Sequence, residues 1–291
     1  MSIRSNLLID AFLVAGPLLV VPAVRPLVAG DRLPSKRVSL AAAVCFGLAF
    51  VTQDRGAIAL LTLPWLAVVG VGLLRALRTL LGAPPSVERV AYVALHAFLV
   101  VAAVFAFASR AGWSIVGIDE PIVELTGVHF HYAGYATLAL ALRVARAERV
   151  PHVPATLMLG LGMIGPAFVA SGFTFSLAFF QIMGAVVMTA FAWSVAGLTL
   201  ARIVPRVNGV SRALLLVSSL AVVAPMVLAI FWAVAQYYDV AALAIPDMAR
   251  VHGTLNGIGF VGCGVAGWRV RDRQTALRSS ITRRQRSTSI L

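Results

Sequence analysis

Apolar residues run along this chain in long blocks, separated by short breaks that are charged or rich in proline and glycine. Blocks such as Ala57 to Leu74 and Ala213 to Ala235 approach the roughly 20 apolar residues that the ~30 Å hydrocarbon core of a bilayer demands of a helix. Reading each block as a helix places spans at residues 6–24, 38–53, 56–74, 90–108, 122–142, 154–172, 174–201, 211–235 and 249–269. The expected fold class is therefore all-α: a polytopic transmembrane helical bundle of about nine spans. The second block is short and fits a tilted or re-entrant segment, and a different reading of Gln53-Asp54-Arg55 gives eight or ten spans. The first block reads as a retained helix and not a cleaved signal, because it carries Asp10 and lacks a small-x-small cleavage site. Residues 1–270 form one transmembrane domain on this reading, and 271–291 form a basic, unstructured tail.

Composition narrows the class. Of 291 residues, 60% are hydrophobic and 12% charged, which excludes a soluble domain of ordinary composition. Cys45 and Cys263 both fall inside spans, where they read as small hydrophobes and not as a disulfide or thiolate metal site. The net charge of +13 is first a question of where the charge lies. With nine spans, 20 of the 24 basic residues fall on one side, leaving only Arg4, Arg55, Arg110 and Arg250 opposite. That is the positive-inside asymmetry, with the N-terminus outside and the C-terminus cytoplasmic. The acids Asp54, Asp119, Glu120, Glu124, Asp239 and Asp247 lean to the outer side. Nucleic-acid binding is excluded, since the basic residues form no clustered reading face. The expected partners are the lipid bilayer, including anionic headgroups against the tail, and a small ligand or ion.

Ionisable side chains inside spans are costly and mark candidate sites. On the nine-span topology, Asp10, Glu124, His129, His131, Gln181, Gln236, Tyr237, His252 and Asn256 all fall in the outer half of the membrane. His129 and His131, for instance, lie roughly 10 to 14 Å along the fifth span at 1.5 Å per residue. One outward-opening polar cavity would explain the common depth. Positions i and i+2 on an α-helix point about 200° apart, so His129 and His131 cannot both face one site. The face shared with Glu124 and Tyr135 favours His131 for the cavity, with Glu124 as its carboxylate partner. His252 and Asn256 share a face at i, i+4, and Gly253 and Gly257 give that helix a small-residue contact surface. Arg250 is available to an outer acid or an anionic ligand. Pro166 and Pro225 are expected to kink their helices and free carbonyls.

The stretches VHFHYAGYA (128–136) and RVHGTLNGIGFVGCGVAGW (250–268) resemble two elements of the YndJ-like family of bacterial integral membrane proteins. The first matches at His129, Phe130, His131, Tyr132, Ala133 and Gly134. The second matches at Arg250, His252, Gly253, Asn256, Gly257, Gly259 and Phe260. The resemblance implies a multi-pass protein of the bacterial cytoplasmic membrane with a transporter-like label and no fixed substrate. Three functions fit the residues. In a transporter-like protein, His131, Glu124 and His252 bind a small ligand or relay protons. In a membrane-embedded metal or haem enzyme, His131, His252, His129 and Glu124 supply the ligands. In a non-catalytic membrane partner, the histidines are structural. No soluble catalytic motif is present.

Overall fold

The computed structural model describes residues 7–82 and 84–288. Among these the secondary structure is helical, apart from one bridge between Ile115 and Ile118. Nine helical runs follow one another: α1 (Leu7–Leu27), α2 (Lys36–Leu48), α3 (Arg55–Leu81), α4 (Val87–Ala111), α5 (122–145), α6 (His152–Phe175), α7 (Ala178–Arg206), α8 (Gly209–Ala235) and α9 (245–288). Six of them, α1, α3, α4, α6, α7 and α8, are long and apolar enough to cross a membrane. With 13 residues, α2 is about 20 Å long, short of a hydrocarbon core. It ends at Leu48, earlier than the apolar run suggests, and the chain turns through 49–54 before Asp54 caps α3 by accepting from the Ala57 amide at 2.7 Å. α5 has the length but is diluted by Glu124, His129 and His131.

At its far end α9 departs from expectation: Cys263–Thr288 is one continuous helix, reaching through the stretch assigned to an unstructured tail. Its Arg, Gln, Ala and Leu residues are good helix formers, and composition alone did not weigh that. The last three residues of that expected tail, 289–291, lie outside the described residues.

Contacts at the helix ends show that the basic loops share one end of the bundle. There Arg25 is buried and reaches Asp31 at 2.5 Å, Ser39 at 3.0 Å and the carbonyls of Leu33 and Pro34, tying the end of α1 to the start of α2. Tyr92 on α4 donates to the Gly30 carbonyl at 2.6 Å. Arg146 at the end of α5 meets Glu88 on α4 at 2.9 Å, and Arg143 meets Asp272 on α9 at 2.5 Å. Arg143 and Arg271 also lie over the Trp268 ring, at 4.6 and 4.8 Å from its centre. At the opposite end, Arg110 donates to the carbonyls of Ala49 and Thr52 and covers the Phe50 ring.

α5 is the centre of the bundle and touches α1, α4, α6, α7 and α9. Its residues 137–142 are buried all round, as suits a helix enclosed by others. Leu60, Leu157, Ile164, Phe179 and Leu220 instead expose large apolar side chains on the outer helices, the surface a lipid chain covers. α6 and α7 form the closest helix pair. A Cβ on Gly172 would sit 2.5 Å from the Gln181 amide nitrogen, and one on Gly184 would sit 2.7 Å from that of Val169. Backbone cannot yield as a side-chain tip can, so only glycine permits this approach. Gly172→Val is expected to destabilise the protein by about 1–3 kcal/mol through overpacking. Gly160→Ala, where nothing stands within 4 Å, should be neutral or stabilising by up to about 1 kcal/mol from helix propensity. Thermal unfolding in detergent checks both.

Candidate functional site

Three helices leave regular α-geometry where they meet. α1 carries a π-helical turn at Gly16–Val20, α5 at Phe130–Ala136, and α9 at Ala249–Gly253 and again at Leu255–Gly262. Such widened turns concentrate at functional sites. Those of α5 and α9 border a cavity of about 720 Å³ that lies between α1, α4 and α5 on one side and α6 to α9 on the other, while the turn of α1 packs Gly16 against His131 behind that wall. Most of its wall is apolar, with Phe98, Phe173, Met188, Phe191 and Trp232 among the larger side chains. Among the described residues, no Asp, Glu, Lys or Arg lines it.

The polar wall is built from α5 and α9. The His129 and His252 rings lie 6.1 Å apart between centres and are tilted by 32°. His129 Nδ1 lies 2.7 Å from the Leu125 carbonyl, one turn back on its own helix. His252 Nδ1 lies 2.8 Å from the Pro225 carbonyl on α8, which breaks at Val222 just before that proline. A carbonyl only accepts, so in the neutral rings each Nδ1 carries the hydrogen and each Nε2 is left as an acceptor. The Asn256 Nδ2 fits this tautomer, lying 3.2 Å from His252 Nε2, where it donates. That leaves Asn256 Oδ1 buried without a donor. Gln181 borders the cavity from α7, and its Oε1 accepts from the Tyr237 hydroxyl at 2.7 Å. Tyr132 borders it too, donating to the Phe12 carbonyl at 3.3 Å.

The two histidines of α5 do part, but their places are the reverse of those expected. His131 is fully buried away from the cavity, with its ring stacked on Trp65 at 6.4 Å and its Nδ1 2.8 Å from the Gly127 carbonyl. Its imidazole fills the space left by Gly16, where a Cβ would come within 2.7 Å of the ring. His131 Nε2 and Trp65 Nε1 are both buried without partners, one an acceptor and the other a donor. Glu124 is not the partner of His131: its carboxyl lies beside that of Asp10 on α1 instead. The partner of His252 across the helices is His129 and not His131.

The remaining candidates divide similarly. His129, Gln181, His252 and Asn256 border the cavity, whereas Asp10, Glu124, Tyr135 and Arg250 do not. Tyr135 is core, and Arg250 is exposed and pairs with Asp247 at 3.2 Å on its own helix. The ligand set of His131, His252, His129 and Glu124 does not assemble, because helix packing sends His131 and Glu124 toward α1 and α3. Among the described residues, no group of three or more His, Cys, Asp and Glu side chains could hold a metal ion. Of Gly253 and Gly257, only Gly257 is in tight contact with α1. A Cβ there would lie 2.8 Å from the Phe12 ring, against 3.7 Å for Gly253. Sequence reasoning missed Tyr132 and the aromatic wall from α6 and α7. Tyr132 carried a signal, since it stands i+3 from His129, but the apolar wall residues look like any others in a span.

These surroundings predict opposite costs for the two histidines. His131→Ala opens a cavity in packed core and should destabilise by about 2–4 kcal/mol. His129→Ala enlarges an existing cavity and should change stability by less than about 1 kcal/mol. Thermal melts of the purified variants compare them directly.

A family model described as YndJ-like protein matches residues 11–260. No curated protein and no solved structure matches the chain. The matched region runs from α1 into the second π-helical stretch of α9, and so takes in Tyr132, His129, His252 and Asn256 together with the helices that bring them to one wall. The chain belongs to the YndJ-like family.

Proposed function

We propose that the protein is a transporter-type protein of the bacterial cytoplasmic membrane that takes a small molecule into the central cavity, with His129, His252, Asn256 and Gln181 as its polar contacts. The observation that carries this reading is a cavity of about 720 Å³ with two imidazoles side by side on its wall. Ligand pockets commonly measure about 300–1,000 Å³ and set a few polar groups in an apolar lining. In this reading all nine helices cross the membrane, α2 as a short inclined segment, with the N-terminus outside and the C-terminus cytoplasmic. Support comes from the basic loops that gather at one end of the bundle, the pattern expected of a cytoplasmic face. The cavity borders Ile115, Ile118, Ile245 and Met248 near the other end, and so opens on the outer half.

A metal-dependent reading draws on one observation. Nδ1 donation to a carbonyl is how metal-binding imidazoles are commonly held, and both His129 and His252 are held so. Two imidazoles are fewer side chains than a structural or catalytic zinc site uses, and this reading ranks second.

Native mass spectrometry of delipidated protein with N-phenyl-1-naphthylamine, a neutral lipophilic probe, tests the cavity. One probe per chain is expected, and Ala133→Phe, which pushes a ring into the cavity beside His129, should weaken binding at least tenfold. Absence of any stoichiometric binding to the wild type would sink the reading. For orientation, cysteines introduced singly at Gly117 and Ala241 in a chain lacking Cys45 and Cys263 should react with an impermeant thiol reagent in intact cells. A cysteine at Glu148 should react only after lysis, and the opposite pattern would invert the topology.

A further inference from the structure

We infer that the cavity's ligand is a neutral lipophilic molecule bearing a hydroxyl group, an alcohol or phenol, whose O–H is donated to His129 Nε2. The inference rests on the cavity reading above and adds the chemical class of its occupant.

Charge is the first discriminator. With no Asp, Glu, Lys or Arg on the wall among the described residues, a carboxylate, phosphate or ammonium group would lose its hydration without gaining a counter-charge. The apolar contacts of a small ligand do not recover that loss, so an ion binds far more weakly than its neutral analogue. Neutral ligands lose little there, and the apolar lining rewards their hydrocarbon.

The sense of the hydrogen bond is the second. At the α5 end of the cavity nearly every polar hydrogen is already committed inside the protein. Thr126 donates to the Ile122 carbonyl at 2.7 Å, Thr137 to the Tyr132 carbonyl at 3.1 Å and Tyr132 to the Phe12 carbonyl at 3.3 Å. His129 Nδ1 is committed to Leu125 and His252 Nδ1 to Pro225. What this wall offers a guest is lone pairs. His129 Nε2 is the strongest of these acceptors: His252 Nε2 is engaged by Asn256, whereas His129 is open to the cavity. At His129 a guest carrying only carbonyl or ether oxygens would set acceptor against acceptor, while a hydroxyl supplies the missing hydrogen; the amide donors of Gln181 lie across the cavity on α7. A single buried hydrogen bond of this kind separates matched ligands by severalfold, and more when the unmatched one strands a buried polar group.

Native mass spectrometry with three matched ligands, 4-decylphenol, its methyl ether 4-decylanisole and the anion 4-decylbenzoate at pH 8, tests the class. The phenol should bind one per chain and at least fivefold more tightly than the ether, with the benzoate weakest. His129→Phe keeps the ring but removes the acceptor. It should bring phenol and ether to within about twofold by weakening the phenol alone, and Thr126→Val should leave their ratio near the wild-type value. Equal binding of phenol and ether to the wild type, or tighter binding of the benzoate, overturns the inference, and the wild-type comparison stands even where a variant fails to fold. If N-phenyl-1-naphthylamine binds and none of the three decyl ligands does, the hydroxyl class is wrong and the cavity reading survives. Should no probe bind, the cavity reading itself falls.

Discussion

Inside a hydrocarbon layer a polar hydrogen has few places to go, and in this chain it goes to a backbone carbonyl. Four of the five histidines, His96, His129, His131 and His252, each hold Nδ1 against a carbonyl. Thr62, Thr126, Thr189, Ser194 and Thr199 donate their hydroxyls one turn back along their own helices. Each donation removes an unmet donor and at the same moment defines the residue's other face. For a histidine that other face is a lone pair, so the rule that makes these residues tolerable in the bundle also makes them acceptors. Where such a face meets packed core, as at His131, it is an unmet need. At His129 it meets a cavity and is available to a guest.

The cavity lies beside α5, in space that the helices around it leave between them. α6 and α7 lie backbone to backbone at Gly172 and Gly184, and both contribute side chains to the apolar wall. α8 breaks before Pro225, which turns the carbonyls of Pro225 and Met226 toward His252 and Thr189. α9 unwinds into π-helical turns across the same region and brings His252 and Asn256 to the opening. Gly257 lets the Phe12 ring of α1 close the side nearest α5. The polar wall is thus made by three local departures from regular helix, each with an identifiable cause in proline, glycine or π-geometry.

Much of this was legible in the chain. Block length and the arginine distribution point to a helical membrane bundle, because both follow from the bilayer and need no tertiary information. The i, i+4 spacing of His252 and Asn256 places them on one face, as the contact of Asn256 with the His252 ring shows, and Pro225 stands close to the break in α8. The parting of His129 and His131 also follows from helical geometry alone. What could not be read is which of the two looks at the cavity. That depends on α1 and α3 arriving at the His131 face with Gly16 and Trp65, contacts some 115 and 66 positions away in the chain. Depth along a span likewise grouped Glu124 with His131, while azimuth, set by packing, grouped it with Asp10.

The division has a physical reason. A bilayer imposes length, apolarity and charge asymmetry on each segment separately, and so writes them into local composition, from which the class of fold, the family motifs and the short list of polar candidates can be read. A cavity is the space that several helices fail to fill, and no segment carries it alone. It takes the assembled bundle to set His129 and not His131 against His252, to turn Glu124 away to Asp10 and to leave the cavity wall without charge.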